Sequence, residues 1–141
     1  MPSITEIQSE IVEDFSFLPQ WDERYAYLIE LGQKMKSLPE EYQTEENIVR
    51  GCQSTVWLHR ECCDGLVYFQ VDSDSLIVKG LAALLMKVFS GQPAADVCAA
   101  DLTFFEQTGL NAHLSSQRAN GLMAMVEQIK SFSEKCVDDS R

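Results

Sequence analysis

The chain has 141 residues, the usual length of one domain, and its apolar share of 45% and charged share of 23% are ordinary for a globular protein. Its 11 Lys and Arg residues against 22 Asp and Glu residues give a net charge of -11. This charge repels phosphate backbones and anionic bilayers, which argues against nucleic acid and membrane partners. We therefore expect one globular domain over residues 1–141.

The compartment is predicted to be the cytoplasm or an equivalent reducing space. The first residues carry neither the basic nor the apolar stretch of a secretion signal. The longest apolar run, residues 81–86, is far shorter than the roughly 20 residues of a membrane span. An odd number of cysteines in a reducing space predicts free thiols, and Cys136 is expected in a frayed tail. The five cysteines are Cys52, Cys62, Cys63, Cys98 and Cys136.

Apolar residues at helical spacing predict two helices in the first third of the chain. The first follows a cap at Ser3 or Thr5 and continues to Phe15. The second is predicted over residues 22–37, where Leu38-Pro39 ends it. An acidic loop over residues 40–46 then leads to a short β-like stretch over residues 47–50.

A β-hairpin is predicted in the middle of the chain. Residues 55–61 and 66–71 are rich in β-branched and aromatic side chains, and residues 63–65 supply the turn. Residues 72–75 look like a turn and N-cap for a buried helix over residues 76–89.

The last third of the chain is predicted to be helical. Short helices are expected over residues 93–99 and 103–107, with Gly109 ending the second. The final helix follows Ser115-Ser116 and carries a clear apolar stripe. Helices before and after a small antiparallel sheet predict an α+β fold.

Cys52 is the main candidate for chemistry. It lies between the β-like stretch and the first predicted strand, and Gly51 before it allows the tight backbone bend that presents a thiol at a loop tip. We expect the apolar strand Val56-Trp57-Leu58 to shield this thiol in part. The competing interpretation is a small buried hydrophobic residue.

The cysteines and histidines raise two other kinds of site. A zinc site normally shows paired ligands about two to four residues apart, but Cys62-Cys63 are adjacent, and neighbouring strand side chains point to opposite faces. We therefore predict no metal. A cysteine hydrolase would need His59 or His113 beside Cys52, which only the fold could arrange.

Arg118 is the second candidate. It falls in the first turn of the last helix, where the helix dipole disfavours a cation. It is either a surface arginine whose stem packs on the core or a guanidinium that faces an anion.

Four segments of the chain resemble the SufE family of sulfur acceptors. They span about residues 20 to 130 in the family's order and spacing. The segments are Tyr27-Leu28-Ile29-Glu30-Leu31-Gly32, Gly51-Cys52-Gln53-Ser54 with Val56-Trp57, Asp72-Ser73-Asp74 with Ile77-Val78-Lys79-Gly80-Leu81, and His113-Leu114-Ser115-Ser116-Gln117-Arg118 with Asn120-Gly121-Leu122. Ser116 departs from the proline that is common in the family.

The resemblance implies a fold like that of IscU-type scaffold proteins and a role for Cys52 as the sulfur acceptor. Cys52 would take persulfide sulfur from a SufS-like cysteine desulfurase, stimulate that enzyme and pass the sulfur to a SufBCD-like cluster assembly complex. Arg118 matches the family's arginine. No cofactor of its own is implied, because the desulfurase carries pyridoxal phosphate.

Several alternatives stay open at this point. The donor could belong to a sister CsdA/CsdE-type system, the chain could be a scaffold of the IscU type, and it could be a monomer or a homodimer. The loops at the strand ends are expected to meet the desulfurase. The residues expected at this interface are Gly51, Gln53, Ser54, Asp72, Ser73, Asp74 and His113.

Overall fold

The computed structural model describes residues 2–139 and confirms the α+β fold. Two short 3-10 turns, Glu40–Tyr42 and Glu45–Asn47, lie between the second helix and the first strand. No helix among the described residues is long and apolar enough to cross a membrane. The elements are α1 (Ile4–Ser16), α2 (Trp21–Lys34), β1 (Val56–Cys63), β2 (Leu66–Ser73), α3 (Leu76–Phe89), β3 (Gln92–Pro93), α4 (Ala94–Ala99), α5 (Phe104–Gln107), α6 (Leu110–His113) and α7 (Ser116–Asp139).

The N-terminal helices follow the predicted pattern, with one difference at the end of α2. Helix α1 begins after Ser3, whose Oγ accepts a hydrogen bond from the Glu6 N–H at 3.1 Å. Helix α2 ends at Lys34, earlier than predicted. Leu38 explains the early end, because its side chain is buried in the core and its N–H donates to the Asp72 carboxylate. A helix continued to residue 37 would carry Leu38 away from that position.

The sheet is antiparallel in the order β1-β2-β3. Asp64 and Gly65 form the hairpin turn with φ values of 53° and 80°, and this pair of positive angles matches the twist of the flanking strands. Strand β3 and helix α6 were not predicted. Strand β3 has only two residues and ends in a proline, so it shows no alternating pattern.

Helices α3 and α7 pack on the sheet and form the core with it. Phe69 of β2 lies edge-on to Phe132 of α7, with ring centroids 5.9 Å apart. Helices α2 and α3 cross at Gly32 and Gly80, where a Cβ on Gly80 would collide with the Leu28 backbone. The fully buried side chains include Leu58, Leu81, Leu84, Leu85, Met125 and Ile129.

Cys62 and Cys136 form a disulfide, so the prediction of free thiols is wrong for this pair. Strand alternation places Cys62 on the same face of β1 as Arg60, whose guanidinium donates to the Gln128 side chain on α7. This face lies against α7, which brings Cys62 to Cys136. The expected frayed tail is also wrong, because Cys136 is only 1% exposed. Cys52, Cys63 and Cys98 are free.

Candidate functional site

Cys52 lies on a loop that connects the 3-10 turn Glu45–Asn47 to β1. The predicted β-like stretch over residues 47–50 is reduced to a single bridge between Ile48 and Trp57. The Val49 N–H donates to the Val56 carbonyl at 2.9 Å and holds the start of the loop. Gly51 has a φ of 95°, so the tight bend expected before Cys52 is present.

The Cys52 thiol is half-buried against α7. Its S–H donates to the Gly121 carbonyl, with Sγ 3.4 Å from the oxygen. A cavity of about 90 Å³ lies beside the sulfur. Side chains of α3 and α7 line this cavity, rather than the strand Val56-Trp57-Leu58 that was expected to shield the thiol. The lining residues are Cys52, Gln53, Ser54, Ser75, Val78, Leu81, Gln117, Arg118, Gly121, Leu122 and Met125.

Burial raises the pKa of the Cys52 thiol above its ordinary value. The thiol is therefore protonated at neutral pH in the free protein. Burial also raises the pKa of Cys98, and the neighbouring carboxylates of Glu134 and Asp138 add to the rise. Cys63 is exposed, and its S–H faces the Asp64 carboxylate at 3.8 Å. Burial therefore raises the pKa of both thiols, but carboxylates add to the rise only at Cys98.

Arg118 lines the same cavity as Cys52. It occupies the first turn of α7, and its N–H donates to the Ser115 Oγ at 3.2 Å, so Ser115 caps the helix. Its side chain is exposed, and within residues 2–139 the guanidinium forms no hydrogen bond or ion pair. The structure therefore brings Cys52 and Arg118 to one cavity and leaves the cation available to an anion there.

The turn that follows β2 holds the far end of the Cys52 loop. The Asp74 carboxylate accepts a hydrogen bond from the Thr55 N–H at 3.1 Å, and the Ser73 hydroxyl donates to the Thr55 carbonyl at 2.9 Å. The cap of α3 is Ser75, whose Oγ accepts the Val78 N–H. Asp74 therefore anchors the loop that carries Cys52, and it does not cap α3.

Asp72 and the two histidines lie outside the cavity. Asp72 pairs with Lys79 at 3.2 Å. His113 stacks on Trp21 with ring centroids 3.6 Å apart, and His59 stacks on Tyr42 at 3.7 Å. Neither imidazole is among the residues that line the cavity beside Cys52. A hydrolytic pairing of Cys52 with a histidine base therefore has no support in the described chain.

Three further residues beside Cys52 were not predicted as site residues: Gly121 and Leu122, which lie in a family-matching segment, and Met125, which belongs to the apolar stripe of the final helix. The apolar stripe of α7 was the available signal, but periodicity shows which face is buried and does not show which loop covers it. No group of three or more His, Cys, Asp or Glu side chains that could hold a metal occurs in the part of the chain that the structure describes.

Comparisons with known proteins agree with this architecture. The SufE family model, described as an Fe-S metabolism associated domain, matches residues 9–133. A SufE-like protein of Rhizobium meliloti is 45% identical over 130 residues, which cover 89% of this chain and 93% of the relative. A SufE-like protein of Rhizobium etli is 44% identical over 126 residues, which cover 86% and 85%.

A solved structure shares the fold. The solution structure of a hypothetical protein from Thermus thermophilus superposes with a TM-score of 0.77 and covers 94% of this chain and 96% of that chain, at 23% identity. The match to the family model and the two SufE-like relatives extend over most of the chain. This chain therefore belongs to the SufE family, which gives it a sulfur-acceptor role in iron–sulfur metabolism.

Proposed function

We propose that this protein is a sulfur carrier that accepts persulfide sulfur on Cys52 from a SufS-like cysteine desulfurase and stimulates that enzyme. It then delivers the sulfur to a SufBCD-like assembly complex. One observation carries the proposal: Cys52 is a free thiol on a loop, half-buried at a small cavity that Arg118 also lines. Family membership supports the sulfur-acceptor role and an interaction with a cysteine desulfurase.

The transfer is a thiol exchange that needs no metal or redox cofactor in this chain. The Cys52 thiolate attacks the outer sulfur of the donor persulfide, one S–S bond forms, and the S–S bond within the donor breaks. The donor cysteine leaves as a thiolate, so no net oxidation or reduction occurs. Pyridoxal phosphate belongs to the desulfurase, where the donor persulfide is made.

Cys52 suits this exchange better than the other two free cysteines. The thiolate is the reacting species, and neighbouring carboxylates oppose its formation. Cys98 lies near Glu134 and Asp138. Cys63 is exposed near the hairpin turn and does not line the cavity that Arg118 lines. The pKa of Cys52 is raised by burial alone, and a partner that draws the loop outward would remove that cause.

Arg118 is proposed to support the thiolate once the loop moves. In the free protein, Arg118 does not offset the effect of burial on the pKa of Cys52. Arg118 nevertheless lines the same cavity. A docked desulfurase that opens the loop would lower the cost of ionising Cys52 and bring the thiolate toward this cation.

The proposed docking surface surrounds the cavity. Gly51, Gln53 and Asp74 are exposed there, and Ser54 lines the cavity. Ser73 contributes by holding Thr55 in place. Asp72 and His113 lie away from the cavity lining, so they belong to this surface only if the partner also covers Lys79 or α6.

The test is sulfur labelling of the purified protein. The protein is incubated with cysteine and a SufS-like desulfurase loaded with pyridoxal phosphate, and the gain of one sulfur is measured by intact and peptide mass spectrometry. Cys52→Ser should abolish the gain, whereas the matched variants Cys63→Ser and Cys98→Ser should keep it. Labelling of Cys52→Ser at the wild-type rate would sink the assignment.

The same assay separates the donors. A CsdA-type desulfurase replaces the SufS-like enzyme at equal concentration. Faster loading and stronger stimulation with the CsdA-type enzyme would assign the chain to the sister system.

A further inference from the structure

Gly121 is a helical glycine whose backbone conformation does not require glycine. It lies within α7, the 24-residue helix Ser116–Asp139, and its φ is not in the positive range. Glycine is one of the least favourable residues inside a helix. The neighbouring atoms, rather than the backbone conformation, therefore account for a glycine at this position.

That space is occupied by Cys52. A Cβ on Gly121 would lie 3.2 Å from the Cys52 Sγ, 3.5 Å from its Cα and 3.6 Å from its Cβ. The distance to sulfur is tighter than nine in ten Cβ contacts in folded proteins. The remaining two distances are ordinary contacts. The missing side chain thus creates a seat on α7 into which the Cys52 sulfur fits, and the Gly121 carbonyl accepts its S–H.

The surroundings of Gly121 differ from those of Gly32 and Gly80, two other helical glycines with close neighbours. Gly32 and Gly80 face each other's helices, where an added Cβ would meet backbone atoms. Those two residues let α2 and α3 cross closely. At Gly121 the neighbour is instead Cys52, a loop residue, so a larger side chain at residue 121 would press on a loop that can move.

The loop is the element that would give way. Leu122, which follows Gly121, and Met125, one turn further along α7, are 4% and 1% exposed in the core. Gly51 and Gln53, which flank Cys52, are both exposed. Packed core side chains resist displacement, whereas an exposed loop with a glycine hinge does not.

We propose that Gly121 is a positioning residue that sets how deeply the Cys52 sulfur lies against α7, and so sets the balance between its shielded and exposed states. The link to sulfur transfer rests on the proposed function of Cys52. Adding one methyl group at residue 121 should shift the Cys52 sulfur away from α7 by a few tenths of an ångström or more, weaken its shielding and leave the core of α7 unchanged.

The experiment compares Gly121→Ala with Asn120→Ala, without any desulfurase. Asn120 is exposed, precedes Gly121 on α7 and does not line the cavity, so its replacement gains helix propensity without touching Cys52. Alkylation of Cys52 at neutral pH should be faster in Gly121→Ala, by up to about tenfold for each unit by which the thiol pKa falls. The pH midpoint of alkylation should fall accordingly, and Asn120→Ala should match the wild type in both.

The outcomes separate a positioning role from a structural one. An unchanged alkylation rate and pH midpoint in folded Gly121→Ala would overturn the proposal, whatever happens to the melting temperature. If Gly121→Ala fails to fold, the double variant with Cys52→Ala decides, since removing Sγ leaves only ordinary contacts. Recovery of folding in the double variant supports the seat, and failure to recover refutes it.

Sulfur loading then distinguishes this proposal from the proposed function. Once loaded by the desulfurase, Gly121→Ala should lose its sulfur to added dithiothreitol faster than the wild type. If wild-type Cys52 accepts sulfur but the variant alkylates and loses sulfur at wild-type rates, the seat is refuted and the function stands. If wild-type Cys52 never accepts sulfur while Gly121→Ala alkylates faster, the function fails and the seat is supported.

Discussion

The disulfide between Cys62 and Cys136 should contribute a large part of the stability of this domain. It joins the end of β1 to the last turns of α7 across a sequence separation of 74. A cross-link restricts the unfolded chain more as the closed loop lengthens, and the chain-entropy relation gives about 4 kcal/mol for a loop of this length. Strain and residual structure in the unfolded state reduce such values, so we expect about 2–4 kcal/mol.

Cys62→Ser is the suitable perturbation because residue 62 is exposed, so the serine itself adds little cost. The free energy of unfolding should fall by the loss of the cross-link. For a chain of this length, each kcal/mol shifts the melting temperature by roughly 2–4 °C, which gives about 4–16 °C in total. The melting temperature is followed by circular dichroism with and without a phosphine reductant.

Two controls test whether the change in stability comes from the disulfide. Cys63→Ser changes the adjacent exposed residue and should leave the melting temperature near that of the wild type. Reductant should lower the melting temperature of the wild type and have no effect on Cys62→Ser. The reasoning is refuted if the unreduced protein, alkylated while denatured, shows five modified cysteines, or if reduction leaves its melting temperature unchanged.

Three further predictions concern the loop that carries Cys52. Because burial raises the pKa of the Cys52 thiol, its alkylation in the free protein should be slow at neutral pH, and the rate should keep rising above the pH at which an ordinary thiol ionises. A catalytically inactive desulfurase should accelerate this alkylation. Equal rates with and without the desulfurase would indicate a permanently open loop. Arg118→Ala should slow persulfide acceptance without unfolding the protein, and Arg118→Lys should restore the rate only in part. Sulfur loading of Arg118→Ala at the wild-type rate, with an unchanged pH profile, would show that Arg118 does not support the Cys52 thiolate. Asp74→Arg should cost about 1 kcal/mol of stability because the hydrogen bond from the Thr55 N–H is lost, and it should alter desulfurase affinity or stimulation. Asp74→Asn is the control, because its side-chain oxygen can still accept the Thr55 N–H. Unchanged binding and stimulation in a stable Asp74→Arg protein would place the interface elsewhere.

Local sequence signals were sufficient for most helices and for the hairpin. Helix α3 spans the predicted residues 76–89 because Ser75 supplies the cap and the apolar pattern that follows is helical. The hairpin turn forms at Asp64-Gly65, where two residues accept positive φ angles. In each case the determining interactions lie within a few residues of one another, so the sequence displays them directly.

The candidate site was predictable only in part. The Gly51-Cys52 bend is a local property. Cys52 and Arg118 were each singled out from their local sequence, and the resemblance to the SufE family then gave them a common role. The seat of Cys52 on Gly121 joins residues 69 positions apart, and no periodicity in either segment indicates the other. The fold stacks the exposed His113 ring on Trp21, and the expected contact of His113 with the desulfurase stays a prediction.

Local sequence signals account for most of the helices, for the hairpin of β1 and β2, and for the position of the Cys52 thiol on a loop. The tertiary structure decided what each buried face lies against. It paired Cys62 with Cys136, ended α2 early so that Leu38 could enter the core, and laid the Cys52 sulfur on α7. The physical reason is that an apolar pattern fixes the burial of a face, whereas the choice of its neighbour depends on the packing of all elements at once.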